Sequence, residues 1–319
     1  MKQKKFKVAS LFAGIGGIDL GFKQAGFEIV YANDNDKAAC KTYRHNFGEV
    51  HLDEGTIKRI DATTLPDFDI LTAGFPCQSF SLSGNLKGFE DPRGNLFFDI
   101  VRIAKVKSPQ VIFLENVSNL LEHDDGKTFL QIYTSLCELG YVLRYNVMSP
   151  TIHGNVPHRR ERIFIVAFKD YEQCSTFQFP EPFPLTKTIA DIVCHKTKHS
   201  DCYYYKSDDH YYKELVQKVK QKDVLYKIVP ECVFRKPYVV CPTLLASAGR
   251  VLYRVPVLLD NFGIRRLTPM ECLAFQGFPS DFKFPSGLSM EDAYKQVGNS
   301  VCVPVIKRIA EQIMIAMKK

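Results

Sequence analysis

The sequence predicts an α/β protein: an open sheet carrying most of the chain, with a smaller, mostly irregular or β region inserted late. Three observations carry this. Short apolar runs alternate with amphipathic stretches from residue 6 to about residue 178. The first apolar run ends in a glycine turn that opens into a helix pattern, the strand–turn–helix context of nucleotide-binding sheets. The alternation fades from about Phe179 to Gly263, and an apolar helical pattern closes the chain at Val303 to Met317.

The elements follow in order. Phe6 to Leu11 reads as a first strand. It meets Phe12-Ala13-Gly14-Ile15-Gly16-Gly17 and then a helical stretch, Ile18 to Ala25, ending at Gly26. Such a turn lets a ligand approach backbone N–H groups, although the spacing is not G-x-G-x-x-G and a plain tight turn fits too. Glu28 to Ala32 reads as a second strand and runs into Asn33-Asp34-Asn35-Asp36. An acidic residue there, about 20 residues past the glycines, is where ribose hydroxyls are gripped, which selects Asp34. Asp36 suits the N-cap of a helix from Lys37 to Asn46.

Ile57 to Ile60 is expected as a weak third strand closing at Asp61. That carboxylate suits an adenine amino group, or equally the cap of the Ala62-Thr63-Thr64 turn. Phe68 to Ala73 is a buried strand, followed by Gly74-Phe75-Pro76-Cys77-Gln78-Ser79-Phe80-Ser81. Cys77 thus stands just past a strand's carboxyl end, where open sheets place their chemistry. It suits a thiolate nucleophile, and the octet alone also fits a half-buried structural thiol. The small polar run Ser81-Leu82-Ser83-Gly84-Asn85 suits a loop. Leu96 to Ala104 reads as a helix. Val111 to Leu114 is a strand ending in Glu115-Asn116-Val117, so Glu115 is either a candidate acid or a capping carboxylate. Tyr141 to Met148 and Arg162 to Phe168 are further strands. Between them lies Pro157-His158-Arg159-Arg160-Glu161-Arg162, a basic cluster that directly precedes an apolar strand, so at least one arginine is expected to point into the cleft.

Composition bounds the function. At 319 residues the chain buries a full core and is expected to hold one large domain and a smaller one. A hydrophobic content of 45% with 24% charged residues is that of an ordinary globular protein. The net charge of +7 is compatible with a polyanionic partner. The ten cysteines have no regular spacing, and Met1-Lys2-Gln3-Lys4-Lys5 runs straight into a strand. Reduced thiols and a cytoplasmic location are therefore expected. No apolar run approaches the roughly 18 residues of a membrane helix.

Five pieces fall at strand ends or strand-entry loops: the glycine turn, Asp34, Asp61, Cys77 and Glu115. Together they favour a cofactor and a reactive site meeting at a switch point of one sheet. With these pieces in hand, the chain resembles the cytosine-C5 DNA methyltransferases, in particular the compact bacterial modification enzymes, nearly end to end. Phe12-Ala13-Gly14-Ile15-Gly16-Gly17 resembles the family's S-adenosyl-L-methionine loop, Pro76-Cys77-Gln78 its nucleophile motif and Glu115-Asn116-Val117 its acid motif. Arg160-Glu161-Arg162 resembles the second half of its Gln-x-Arg-x-Arg motif. Arg266-Leu267-Thr268-Pro269 with Glu271, and Gln296-Val297-Gly298-Asn299-Ser300 with Pro304, resemble its last two. His158 stands where that family has Gln, Asn155 looks like an extra residue, and Asn35 stands where close relatives often carry an aromatic, so weaker stacking on the adenine is expected.

The resemblance implies a Rossmann-like methyltransferase sheet with a smaller target-recognition domain. It implies a cofactor-binding catalytic domain at 1–178, target recognition at 179–287 and a C-terminal segment at 288–319 that returns to the catalytic domain. The expected activity is methyl transfer to C5 of a flipped-out cytosine in double-stranded DNA. Cys77 is expected as nucleophile and Glu115 as acid, with Arg160 on the cytosine O2 and Arg162 bracing the site. Phe12, Ala13, Gly14, Gly16, Gly17, Asp34, Asn35, Asp61, Pro76, Asn299 and Ser300 are expected at the cofactor. Gln78, Ser81, Ser83, Arg235, Thr243 and Arg250 are expected at DNA, with Thr243 on the flipped nucleotide's backbone and Arg254 a further candidate. Either a cognate restriction endonuclease acting on the same site or an orphan role, and a monomeric state, are also implied.

In the late region, Tyr203-Tyr204-Tyr205, Tyr211 and Tyr212 lie among Lys196, Lys198, Lys206, Lys213, Lys218, Lys220 and Lys222. This pattern fits base packing and phosphate contacts, or a tyrosine-rich core under a solvated lysine face. Cys194-His195, His199 and Cys202 are four ligand types in a short span, but adjacent ligands strain a tetrahedral site and no metal is expected. The rivals are a tRNA cytosine-C5 methyltransferase with the same thiol chemistry, and an inactive DNA-binding regulatory module. The long Lys/Tyr-rich region separates the first, and the Cys77, Glu115 and Arg160 set separates the second.

Overall fold

A computed structural model describes residues 5–75, 96–228 and 237–318. Contacts divide the chain into two compact units. The first is Met1–Met148 with Glu161–Glu181 and Val305–Lys319; the second is Ser149–Arg160 with Pro182–Pro304.

The first unit is a seven-stranded sheet. Its elements are β1 (Lys7–Leu11), α1 (Gly17–Gln24), β2 (Glu28–Asp34), α2 (Lys37–Asn46), β3 (His51–Glu54), β4 (Ile70–Gly74), α3 (Leu96–Lys107), β5 (Val111–Val117), α4 (Lys127–Glu138), β6 (Val142–Met148) and β7 (Arg162–Phe168). The order is β3-β2-β1-β4-β5-β7-β6. The first five pair in parallel, and β7 runs antiparallel to both neighbours. The order reverses between β1 and β4, which makes a switch point there. Register then sets the site. Leu11 pairs with Ala73, and Gly74 with Glu115, so the turn after β1, the end of β4 and Glu115 share one edge.

The core is apolar on both faces. Ala9, Leu11, Leu71, Ile112, Leu114 and Ile165 pack with Phe97, Ile100 and Val101 of α3 and Ile132 and Leu136 of α4. On the other face Phe22 of α1 meets Phe113 edge-on. A Cβ at Gly21 would lie 2.5 Å from Ile306 Cγ2, so the missing side chain lets the C-terminal helix pack closely on α1.

One element differs from the sequence reading. Ile57 to Ile60 is not a strand: Ile57–Arg59 is a 3₁₀ turn, and the third strand is His51–Glu54. The polar edge strand has no alternation to mark it. It is recruited by β2, through the pairing of Tyr31 with His51 and through Asn33 Nδ2, which donates to the carbonyls of Asp53 and Gly55. Ile57 and Ile60 are both buried at a three-residue spacing, and Arg102 holds the two carbonyls.

The second unit carries little regular structure. It includes the helix Tyr212–Lys218, a hairpin of β8 (Val257–Leu259) and β9 (Ile264–Arg266), and the helices Pro269–Ala274 and Met290–Asn299. Its tyrosines go inward. Tyr205 and Tyr226 are buried with Leu215, Val219, Ile228 and Val257, and Tyr211, Tyr212 and Tyr253 pack against that cluster. The seven lysines are all exposed. The segment therefore builds a core around Tyr205 and Tyr226, while Tyr203, Tyr204, Tyr211 and Tyr212 are half-buried.

At the centre of this unit Arg265 is fully buried. Its Nε meets Asp260 Oδ2 at 2.6 Å, and its two Nη groups meet the Glu271 carboxylate at 2.7 and 2.8 Å. Thr268 and Glu271 form a reciprocal capping box on the helix Pro269–Ala274. Burial alone raises Asp260. The Phe262 N–H, Arg265 and Tyr204 oppose it and bring the carboxyl below its ordinary value.

Candidate active site

The turn after β1 is built on left-handed backbone. Phe12, Gly14 and Gly16 have φ of 55°, 57° and 87°. The Gly14 N–H donates to Asp34 Oδ2 at 2.8 Å, and the Asp36 N–H donates to Asp34 Oδ1 at 2.7 Å. Asp34 thus ties the turn to the end of β2. Burial raises its carboxyl above the usual range despite these donors. At Gly16 a Cβ would run into the Phe47 ring, whereas at Gly14 it would meet nothing within 4 Å among the described residues. The turn is therefore packed beneath and open at Gly14, which fits a ligand lying over backbone N–H groups.

Beneath the turn is a buried polar contact that sequence reasoning missed. Asp19, in the first turn of α1, accepts from the Tyr43 hydroxyl at 2.7 Å. Tyr43 stacks on Phe47, the ring that fills the space under Gly16. Burial pushes the Asp19 carboxyl up to about 6, against the lowering effect of hydrogen bonds from Ser10 and Tyr43. Lone acidic residues in helix patterns are usually solvated, so nothing local marks it.

Asn35 is exposed and presents no ring. Asp36 caps α2, accepting from the N–H groups of Ala38 and Ala39. Asp61 takes the capping role weighed for it: its Oδ1 accepts from the Thr63 N–H and hydroxyl at 2.9 and 2.7 Å. These bonds hold its exposed carboxyl below the usual range.

Glu115 lies within β5, which continues to Val117 and pairs there with β7. It is 8% exposed. Arg162, the first residue of β7, places Nε 3.2 Å from Glu115 Oε1. A Cβ on Gly74 would sit 3.5 Å from Glu115 Oε2, so the carboxylate lies beside the end of β4. Next along, Asn116 Nδ2 donates to the Phe75 carbonyl at 2.9 Å, and the Val117 N–H donates back to Asn116 Oδ1. Asn116 thus holds the chain as it leaves β4. Pro76, Cys77, Gln78, Ser81, Ser83 and Arg235 lie outside the described residues.

The two arginines have different surroundings. Arg162 meets the candidate acid, as a residue bracing the site would. Arg160 belongs to the second unit and is 4% exposed. It donates to the backbone carbonyls of Leu244, Gly298 and Ser300 at 3.2, 3.1 and 2.6 Å. His158, in place of the family's Gln, supplies a side-chain acceptor: Leu244 N–H faces its Nε2 at 3.4 Å. Asn155 takes φ 51°, a left-handed position that asparagine tolerates, and its Oδ1 accepts from the N–H groups of Thr186 and Lys187.

In the second unit Asn299 is exposed at the end of its helix. Ser300 is buried, and its Oγ has no partner among the described residues, which fits a ligand-facing hydroxyl. Thr243 Oγ1 donates to the Arg159 carbonyl at 2.7 Å. Arg250 is exposed and loosely paired with Glu291 at 3.4 Å, and Arg254 donates to Ser247 Oγ. Among the described residues no group of three or more His, Cys, Asp or Glu side chains is placed to hold a metal ion. His195 meets Asp223 at 2.8 Å instead.

Residues 6–315 match the family of C-5 cytosine-specific DNA methylases. The chain is 47% identical over 315 residues to the Type II methyltransferase M.Bsp6I of Bacillus sp. (strain RFL6), covering 98% of this chain and 99% of that one. It is 38% identical over 308 residues to the Type II methyltransferase M.HhaI of Haemophilus parahaemolyticus, covering 95% and 92%. Among solved structures, a mutant DNMT2 of Spodoptera frugiperda superposes with a TM-score of 0.76 at 20% identity, covering 97% of this chain and all of that one. That likeness shows the shared fold.

Proposed function

Because this chain belongs to the family of C-5 cytosine-specific DNA methylases, we propose that it methylates C5 of a flipped-out cytosine in a short DNA sequence, through a covalent Cys77 adduct. The observation that carries the reading is the Glu115–Arg162 pair, a nearly buried carboxylate and its cation 3.2 Å apart beside the end of β4. The nucleophile motif begins two residues after that strand.

Carbon 5 of cytosine is too weak a nucleophile unaided. The Cys77 thiolate adds to C6, and the C5–C6 π pair becomes available at C5. Glu115 hydrogen-bonds the exocyclic amine and N3, and Arg162, rather than Arg160, takes the cytosine O2 while holding Glu115. Once C5 carries the methyl group, loss of its proton re-forms the C5–C6 double bond as the C6–S bond breaks and the thiolate leaves. A stacked base cannot be reached, so the cytosine leaves the duplex.

Phe12 to Gly17, Asp34, Asn35, Asp61, Pro76, Asn299 and Ser300 would hold S-adenosyl-L-methionine. The Gly14 backbone, open among the described residues, the Asp34 carboxylate and the Ser300 hydroxyl, which has no partner among those residues, support this. When bound, that cofactor supplies an electrophilic methyl group. Thr243, Arg250, Gln78, Ser81, Ser83 and Arg235 would meet DNA, with the exposed lysines of the second unit adding phosphate contacts. Residues 1–178 act as the catalytic domain, 179–287 as the recognition region and 288–319 as the returning segment. We assign the chain a cytoplasmic, monomeric role beside a restriction endonuclease of the same site. No helix among the described residues is long and apolar enough to cross a membrane.

The test is bisulfite sequencing of DNA from cells expressing the protein, with Cys77→Ser as control. Protected cytosines in one short motif, absent from the control, are expected. Folded protein that binds S-adenosyl-L-methionine yet protects no cytosine would overturn the DNA reading and leave the tRNA enzyme or the regulatory module.

A further inference from the structure

The second unit contains a buried cation, Arg160, that donates to three backbone carbonyls. Arg160 Nη1 donates to the Leu244 carbonyl, and Nη2 donates to those of Gly298 and Ser300. Leu244 directly follows Thr243. Gly298 and Ser300 flank Asn299. One guanidinium therefore touches the backbone on either side of a residue assigned to the cofactor and beside a residue assigned to DNA. The carbonyls at the end of the helix Met290–Asn299 lack helical partners, and a cation there is favoured by the helix dipole.

The same two segments also meet directly. A Cβ on Gly298 would collide with the backbone of Leu245 and Ala246. Backbone lies against backbone, and only glycine permits it. Arg160 is itself held from the DNA side. The Cys241 N–H donates to the Pro157 carbonyl at 2.7 Å and the Arg159 N–H to the Cys241 carbonyl at 2.8 Å. Thr243 Oγ1 then closes on the Arg159 carbonyl. One parallel bridge, His158 with Cys241, thus joins the two segments.

We propose that Arg160 is a positioning residue that fixes the Thr243 segment to the Asn299–Ser300 segment, so that the grip on the DNA backbone and the grip on the cofactor are set together. This rests on the reading that Thr243 meets DNA and that Asn299 and Ser300 meet S-adenosyl-L-methionine. Lysine keeps the charge but lacks the planar fork that reaches carbonyls from two nitrogens, so Arg160→Lys tests geometry rather than charge.

The full chain and Arg160→Lys are compared by calorimetric titration with S-adenosyl-L-methionine and by anisotropy with a duplex carrying the protected motif. Both dissociation constants are expected to rise about tenfold, within the usual range of coupling between sites. The single-turnover rate with both ligands saturating is expected to stay within about threefold, because a positioning residue acts through the segments it holds. Thr243→Ala is expected to weaken DNA binding in the native background and to add little in Arg160→Lys, since coupled residues are not additive. A collapse of the saturated rate with both constants unchanged would overturn the proposal in favour of a contact to the base. A change in only one constant would overturn the coupling.

A second measurement needs no variant. In the native chain, S-adenosyl-L-methionine without DNA is expected to slow amide hydrogen exchange at residues 244–246. Unchanged exchange there, with the cofactor bound, overturns the proposal. A native chain that binds cofactor but protects no cytosine breaks the functional reading instead, and the exchange result still stands by itself.

Discussion

Arg160 and Arg162 stand two residues apart, and their surroundings give them different work. Arg162 faces Glu115, a carboxylate that can exchange a proton and that lies at the edge where the strands of the first unit end. Arg160 faces peptide carbonyls, which are dipoles that never change charge. A cation paired with a titratable group influences chemistry, because each protonation state feels it differently. A cation solvated by carbonyls influences shape. Arg265 shows that a carboxylate partner alone does not make a site. It has two, Asp260 and Glu271, but all three are buried around a capping box and serve stability.

The comparison breaks most visibly at Arg162. Arg162→Gln is expected to lower the single-turnover methyl-transfer rate by about a hundredfold or more, the usual cost of removing one electrostatic stabiliser from a reaction site. Cofactor affinity, measured by titration, should hardly move. An unchanged rate would mean that the pair with Glu115 is structural.

Arg265→Met probes the opposite case. It leaves two buried carboxylates without their cation, and unfolding free energy should fall by about 3–5 kcal/mol in a denaturant titration. The native contribution of Asp260 has a definite pH window. Its folded-state value is lowered, so the stabilisation is present above the unfolded value and is lost as acid carries the group through its folded value.

Asp19 sharpens the comparison from the other side, as a buried carboxylate with no cation paired to it among the described residues. Its folded-state value is raised from 3.8 to about 6. Protonation is favoured in the native state, so stability falls as pH rises from about 4 to about 6 and then levels off. The cost above pH 6 is on the order of 3 kcal/mol. Asp19→Asn, which keeps an acceptor for Tyr43, should raise the melting temperature at pH 8 and not at pH 4. Equal shifts at both pH values would remove the titration argument.

The smallest effect is expected at Arg250, exposed and loosely paired with Glu291. Arg250→Ala should leave melting unchanged. It should weaken DNA binding alike for all sequences and reduce the slope of log affinity against log salt by about 1.

Much of this was legible along the chain. The helices at Lys37–Asn46 and Val303–Met317 and the strand Arg162–Phe168 have the bounds that periodicity assigns, because strong apolar spacing and a capping Asp36 mark them locally. The polar strand His51–Glu54 was not legible, since its only cause is an open edge of β2 offered by the sheet. The tyrosines of the second unit were ambiguous because the same ring packs equally well on a base or in a core. The fold places Tyr205 and Tyr226 inside.

The α/β class, the glycine turn, the order of the motifs and the residue types available for chemistry can all be read along the chain. These follow from spacing and composition, which are properties of neighbours in the chain. Folding was needed to pair Glu115 with Arg162, to bring Arg160 to the carbonyls of Leu244, Gly298 and Ser300, and to set Asn116 on the carbonyl of Phe75. Those partners lie between 41 and 140 residues away along the chain. No local rule reaches so far: the pairing is set by strand register and by the need of every buried polar group for a partner, and both exist only once the sheet is assembled.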